Sequence, residues 1–105
     1  MKHFLLSEIT GFDWDQHNTD KNRIKHQVYS AECEQVFFDS PIYFFDQKHS
    51  TTEQRWIALG FSEDKRQLTI SFTLRSQKIR VISARSQSKK EHRLYQLSTS
   101  LKWNN

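Results

Sequence analysis

The 105-residue sequence has one cysteine, one proline and two glycines, and each scarcity removes a class of fold. Cys33 has no partner for an internal disulfide, so the chain is not a disulfide scaffold. No charged-then-apolar leader precedes the first motif, and a reduced, cytoplasmic setting is expected. So few glycines and prolines do not make a turn-rich sandwich or a flexible linker; the breaks between elements fall to Asp, Ser, Asn and charged side chains. No apolar run approaches the roughly 20 residues that cross a bilayer, and no membrane contact is expected. His17, His26, His49, His92 and Cys33 are scattered, without H-E-x-x-H or C-x-x-C spacing, so neither a metal nor another cofactor is expected. Cys33 itself falls on the apolar stripe of a helix, where a thiol is usually buried and inert.

What is abundant is aromatic and basic. Eight Phe, three Trp and three Tyr supply a compact core, and a chain of this length holds one such core and one domain. The net charge of +4 is unevenly spread. Residues 1–53 carry five Lys/Arg against nine Asp/Glu, and residues 54–105 carry eleven against three. A basic half of this kind fits a polyanion or an acidic partner, or else a solvated face that keeps the protein soluble.

Residues 1–11 read as an N-terminal extension or an edge strand, and residues 12–105 as the domain. Phe12 to Asp15 alternates like a short strand, and Asp15 is placed to cap a polar helix from Gln16 to about His26 with Ile24 as its clearest inward residue. Ser30 offers a second N-cap for a helix burying Cys33, Val36 and Phe37, which ends at Asp39-Ser40-Pro41. Strands follow over Ile42–Phe45 and Arg55–Phe61, separated by the polar loop 46–54. Leu68, Ile70, Phe72 and Leu74 alternate with Thr69, Ser71, Thr73 and Arg75, the cleanest period-2 pattern in the chain. Ser76-Gln77 turns the chain into a strand over Lys78–Ala84, and Ser88 with Glu91 has capping-box spacing ahead of a last helix with Leu94, Leu97 and Leu101 on one stripe. The class is α+β: two N-terminal helices, an antiparallel sheet of three to four consecutive strands, and a C-terminal helix.

The stretch Phe12 to Val28 resembles the opening of the BrnT family of toxins, with Trp14, Asp15, Asn22, Lys25, His26 and Val28 in matching order. The resemblance continues through Val36-Phe37, Asp39-Ser40-Pro41, His49-Ser50, Glu53, Arg55, Gly60, Arg75 and Ile82 to Arg85, and ends with Glu91 and Tyr95. Gln16 stands where Pro is common, Asn18 where Lys is usual and Gln27 where Gly is common. The resemblance implies a RelE-like fold, metal-independent endoribonuclease activity that inhibits growth, and a BrnA-type antitoxin that neutralises the toxin and links it to DNA.

Such chemistry, with the RNA 2′-hydroxyl attacking the adjacent phosphate, needs a base, cations for the developing charge and an acid for the leaving oxygen. Arg75, at the end of the best strand, and Arg85, at a strand-to-helix junction, are the candidate cations, unless they are edge residues or salt-bridge partners. His26 and His49 are the candidate proton carriers, although lone histidines are commonly structural. Lys25, Arg55, Arg80, Lys89 and Tyr95 are the candidate RNA contacts. Strict alternation puts Arg80 on the face opposite Arg85. Glu53 and Arg55 point the same way and are expected to pair, orienting the arginine, with Glu53 as a general base the alternative. Tyr95 either stacks on a base or packs in the core beside Leu94. The alternative to an enzyme is a noncatalytic domain that binds nucleic acid or an acidic protein.

Overall fold

The computed structural model describes residues 8–103, with side chains as far as residue 99. The elements run β1 (Gly11–Phe12), α1 (Gln16–His26), α2 (Ser30–Phe38), β2 (Ile42–Phe45), β3 (Arg55–Phe61), β4 (Gln67–Arg75), β5 (Lys78–Ser86) and α3 (Lys89–Trp103). The class is α+β. Strands β2 to β5 are the four expected consecutive antiparallel strands, and β1 adds a fifth, parallel to β5, so the sheet is mixed with the order β1-β5-β4-β3-β2. The wholly antiparallel sheet expected from sequence is corrected by this strand of two residues, whose parallel pairing no local pattern announces. The expected strand over Phe12–Asp15 shrinks to Gly11–Phe12 because Asp15 is already the cap of α1. Phe4, Leu5 and Leu6 of the expected extension lie outside the described residues, as does the side chain of Leu101.

Asp15 accepts the Asn18 N–H at 2.7 Å, which fixes the start of α1, and Gln16 is its first residue, the place where proline is tolerated best. Gln27 ends it at φ 56°, ψ 38°, the left-handed geometry that glycine adopts most cheaply. Arg66, from the turn between β3 and β4, donates to the carbonyls of Gln27 (2.6 Å) and His26 (3.0 Å) and pairs with Glu32 (3.4 Å). One guanidinium thus satisfies acceptors that the helix end leaves open.

Ile24 is not inward: it is 72% exposed. The helix is attached by amides instead. Asn22, 2% exposed, accepts the Ala84 N–H at 3.0 Å, and Asn18 donates to the Val81 carbonyl at 3.1 Å. Beyond the two residues paired by β1, these side chains take the place of a neighbouring strand along the edge of β5.

Helix α2 starts one residue earlier than a Ser30 cap implies. Tyr29 is the cap residue, its N–H bound by Glu32 at 3.1 Å, and Ser30 is the first helical residue. Cys33, Val36 and Phe37 meet Ala58, Ile70, Phe72, Ile79 and Val81 across the core face of the sheet. Each fully buried large apolar side chain there contributes about 1.5–3 kcal/mol. A Cβ on Gly60 would lie 3.0 Å from Val36 and 3.1 Å from Pro41, so the missing side chain lets α2 approach β3.

The β4–β5 register breaks once. Ser71 faces Ser83 and Phe72 faces Val81, leaving Ile82 as a bulge without a partner. The extra residue resets alternation: Ile79, Val81 and Ala84 point into the core, while Lys78, Arg80, Ser83 and Arg85 share the opposite face. Arg80 is therefore on the same face as Arg85, contrary to the count made straight through the strand.

Candidate active site

The face of the sheet turned away from α1 and α2 carries Arg55, Ile57, Leu59 and Phe61 on β3, and Thr69, Ser71, Thr73 and Arg75 on β4. Helix α3 packs on one end of it, where Tyr95 meets Phe61 edge-on at 5.2 Å and Glu91 accepts the Thr69 hydroxyl at 2.9 Å. At the other end the register sets Arg55, Thr73 and Arg80 in one row across three strands, with neighbouring strands about 4.8 Å apart. Arg75 and Lys78 oppose each other on the next row, across a two-residue turn in which Ser76 and Gln77 both have positive φ. Four cations thus gather at one end of the sheet. The loop 46–54 enters β3 at the same end and brings Asp46, His49 and Glu53.

The pairing among these groups differs from expectation in one respect. Glu53 precedes the strand and reaches Arg75 at 3.6 Å, not Arg55. Arg80 is held by Asp13 (3.6 Å) and by Asp15, and Asp15 lies below the usual carboxylate range because it accepts the Asn18 N–H and the Arg80 guanidinium. Arg55 forms no ion pair among the described residues, and its Nε is buried without a partner there. It is the uncompensated charge of the row. In the loop that the Asp46 N–H ties to the Arg55 carbonyl at 2.9 Å, the His49 ring is exposed and its Nδ1 lies 2.9 and 3.1 Å from the two Asp46 carboxylate oxygens. A carboxylate at Nδ1 favours the tautomer protonated there and leaves the Nε2 lone pair free to take a proton.

The remaining expected residues lie elsewhere. Arg85 makes a two-pronged pair with Glu91, both contacts at 2.7 Å, which raises its pKa, and Glu91 is held down to about 2 chiefly by that pair. Arg75 lies six positions along β4 from Thr69, the partner of Arg85, a span of about 20 Å. Lys89 opens α3 as an exposed residue, and Tyr95 packs against Phe61. Lys25 is exposed on α1, and His26 ends that helix with its carbonyl bound by Arg66. The structure therefore unites His49, Arg55, Arg75 and Arg80, and places Arg85, Lys89 and Tyr95 at the far end and Lys25 and His26 on α1.

Sequence reasoning passed over Lys78 and Asp46. Two signals were there to be read: Lys78 is the residue a two-residue turn sets opposite Arg75, and Asp46 stands three positions before His49. Cys33 is 1% exposed and burial pushes its thiol up to about 12, which suits a packing role. Among the described residues no three His, Cys, Asp or Glu side chains are grouped to hold a metal ion, and no helix is long and apolar enough to cross a membrane.

Fold and site define a small α+β protein with a cation-lined sheet face and a carboxylate-paired imidazole in the loop that enters the sheet. The family described as the ribonuclease toxin BrnT of type II toxin–antitoxin systems matches residues 14–91, and the chain belongs to that family. The crystal structure of the ribonuclease toxin BrnT of Brucella abortus is similar in fold, with a TM-score of 0.58 and 24% sequence identity over 75% of this chain and 97% of that one. No curated protein matches the chain. Membership makes the protein a ribonuclease toxin, with RNA as substrate and an antitoxin as partner.

Proposed function

We propose that the chain is a metal-independent endoribonuclease, RelE-like in fold, whose cleavage centre is the end of the open sheet face built by His49, Arg55 and Arg75. One observation carries this reading: the ring of His49, oriented by Asp46, stands at the same sheet end as the unpaired guanidinium of Arg55. The Nε2 atom of His49 takes the proton of the RNA 2′-hydroxyl, and the 2′-oxygen bonds to the adjacent phosphorus. The 5′-oxygen then leaves with a proton returned by the imidazolium, giving a 2′,3′-cyclic phosphate and a free 5′-hydroxyl. Arg55 and Arg75 stabilise the charge that builds on the phosphoryl oxygens, with planar donor sets that stay charged at every working pH.

Arg80, fixed by Asp13 and Asp15, and Lys78 hold flanking phosphates. Arg85, Lys89 and Tyr95 contact RNA further along the face, whereas Lys25 and His26, on α1, stand off it and take no part in the cleavage centre. In the cytoplasm a BrnA-type antitoxin neutralises the toxin and carries the complex to DNA. Purified protein incubated with RNA in EDTA should cleave it, and Arg55→Gln, Arg75→Gln and His49→Gln should each slow cleavage on the order of 100-fold. Binding without cleavage by the unmodified protein would favour a noncatalytic domain, and full activity in all three variants would place the centre elsewhere.

A further inference from the structure

Helix α3 has an outer face that nothing in the described fold covers. Glu91, Tyr95 and Thr99 lie along the side turned to the sheet, as the contacts of Glu91 with Arg85 and Thr69 and of Tyr95 with Phe61 show. Leu94, 40% exposed, lies on the flank next to Glu91, and Leu97, 61% exposed, further round on the outer side, adjacent at helical spacing and with the exposed cations Lys90 and Arg93 among them. Two uncovered leucines edged by positive charge match an amphipathic helix with an apolar stripe and acidic flanks. RNA would use the cations and leave the leucines wet. A second copy docked through the same surface on a two-fold axis would set Lys90 and Arg93 against their own kind, which like-charge repulsion disfavours.

We propose that this Lys90–Leu97 face of α3 is a docking surface for an acidic amphipathic helix of the antitoxin. The proposal rests on the family assignment, which supplies an antitoxin, but not on the location of the cleavage centre. Helix α3 leaves the sheet at Thr69 and Arg85, so a partner seated on it borders the open face and stands in the path of an RNA strand lying there.

The test measures binding of the full-length chain to its cognate antitoxin alongside RNA cleavage by the free toxin. The double variant Leu94→Ser with Leu97→Ser should bind the antitoxin at least about 30-fold more weakly and cleave RNA at the unmodified rate. The charge reversal Lys90→Glu with Arg93→Glu should weaken binding strongly in low salt and less in high salt. Circular dichroism checks that both variants keep their helices, and each tests the surface independently of the other. Antitoxin binding within about 3-fold of the unmodified protein in both variants would overturn the proposal. So would a leucine variant that turns a homodimer into a monomer while binding antitoxin normally. A toxin that binds antitoxin as expected but never cleaves RNA would instead count against the proposed activity.

Discussion

Replacing Glu91 by Gln should unlock one end of the sheet, and the structure sets the size of the effect. The carboxylate accepts two guanidinium contacts from Arg85 at 2.7 Å, the Thr69 hydroxyl at 2.9 Å and the Ser88 N–H at 2.8 Å. Gln keeps the shape and part of the Thr69 and Ser88 bonding but loses the charge on which Arg85 depends. The Arg85 side chain is 43% exposed and that of Glu91 20%, so solvent screens the pair, and its net worth is well below what the lowered pKa alone implies. With the weakened cap included, the loss at pH 7 comes to about 2 kcal/mol. For a chain of this length that lowers the melting temperature by roughly 10 °C.

The pH dependence is the sharper check. Folding holds the Glu91 carboxyl at about 2 against an ordinary 4.5, so the unfolded chain takes up the proton first as pH falls. The stabilisation is full above about 4.5 and disappears as pH drops towards 2. Thermal melts of the two proteins should therefore differ most near neutral pH and converge below pH 4.5. A gap that stays constant down to pH 3, or one under about 0.5 kcal/mol at pH 7, would refute this account of how α3 is anchored.

Two further outcomes concern α1. Asn22→Ala leaves the buried Ala84 N–H without an acceptor and opens a small void, so urea unfolding should show a loss of about 2–3 kcal/mol; a change under about 0.5 kcal/mol would mean the amide does not hold the edge. Gln27→Gly relieves a left-handed residue while leaving its carbonyl free to bind Arg66, so it should stabilise by about 0.5–1 kcal/mol, and a loss of stability would contradict the assigned cap.

Much of the architecture was legible because local chemistry and global fold agree where the pattern is strong. Asp15, Pro41, the Ser76-Gln77 turn and the Ser88–Glu91 box each mark a boundary through their own backbone preference, and the structure places breaks at all four. Helix α1 was misread at Ile24 because it has no apolar stripe to read; hydrogen bonds to a strand edge leave no period in the sequence. Strand β1 was legible only as a short strand set too far along, over Phe12–Asp15, and its parallel pairing with β5 was not, because two residues set no register.

The bulge at Ile82 was silent for a related reason. An inserted residue changes parity without changing composition, and only the facing strand reveals it. The candidate site followed suit: the residue types were in view, but which of them meet depends on register. Glu53 reaches past Arg55 to Arg75, and the most strongly favoured pair of arginines proves to be about 20 Å apart.

Arg66 ties the end of α1, the start of α2 and the turn between β3 and β4 with one side chain. The adjoining ends of two helices and a turn about 40 residues further along the chain therefore share a single fastener, and none can open far without breaking contacts of the other two. Such a corner behaves as one unit in local unfolding, with a common opening free energy in place of three. The polar turn that looks most expendable in the chain then sets how often that whole corner of the toxin comes apart.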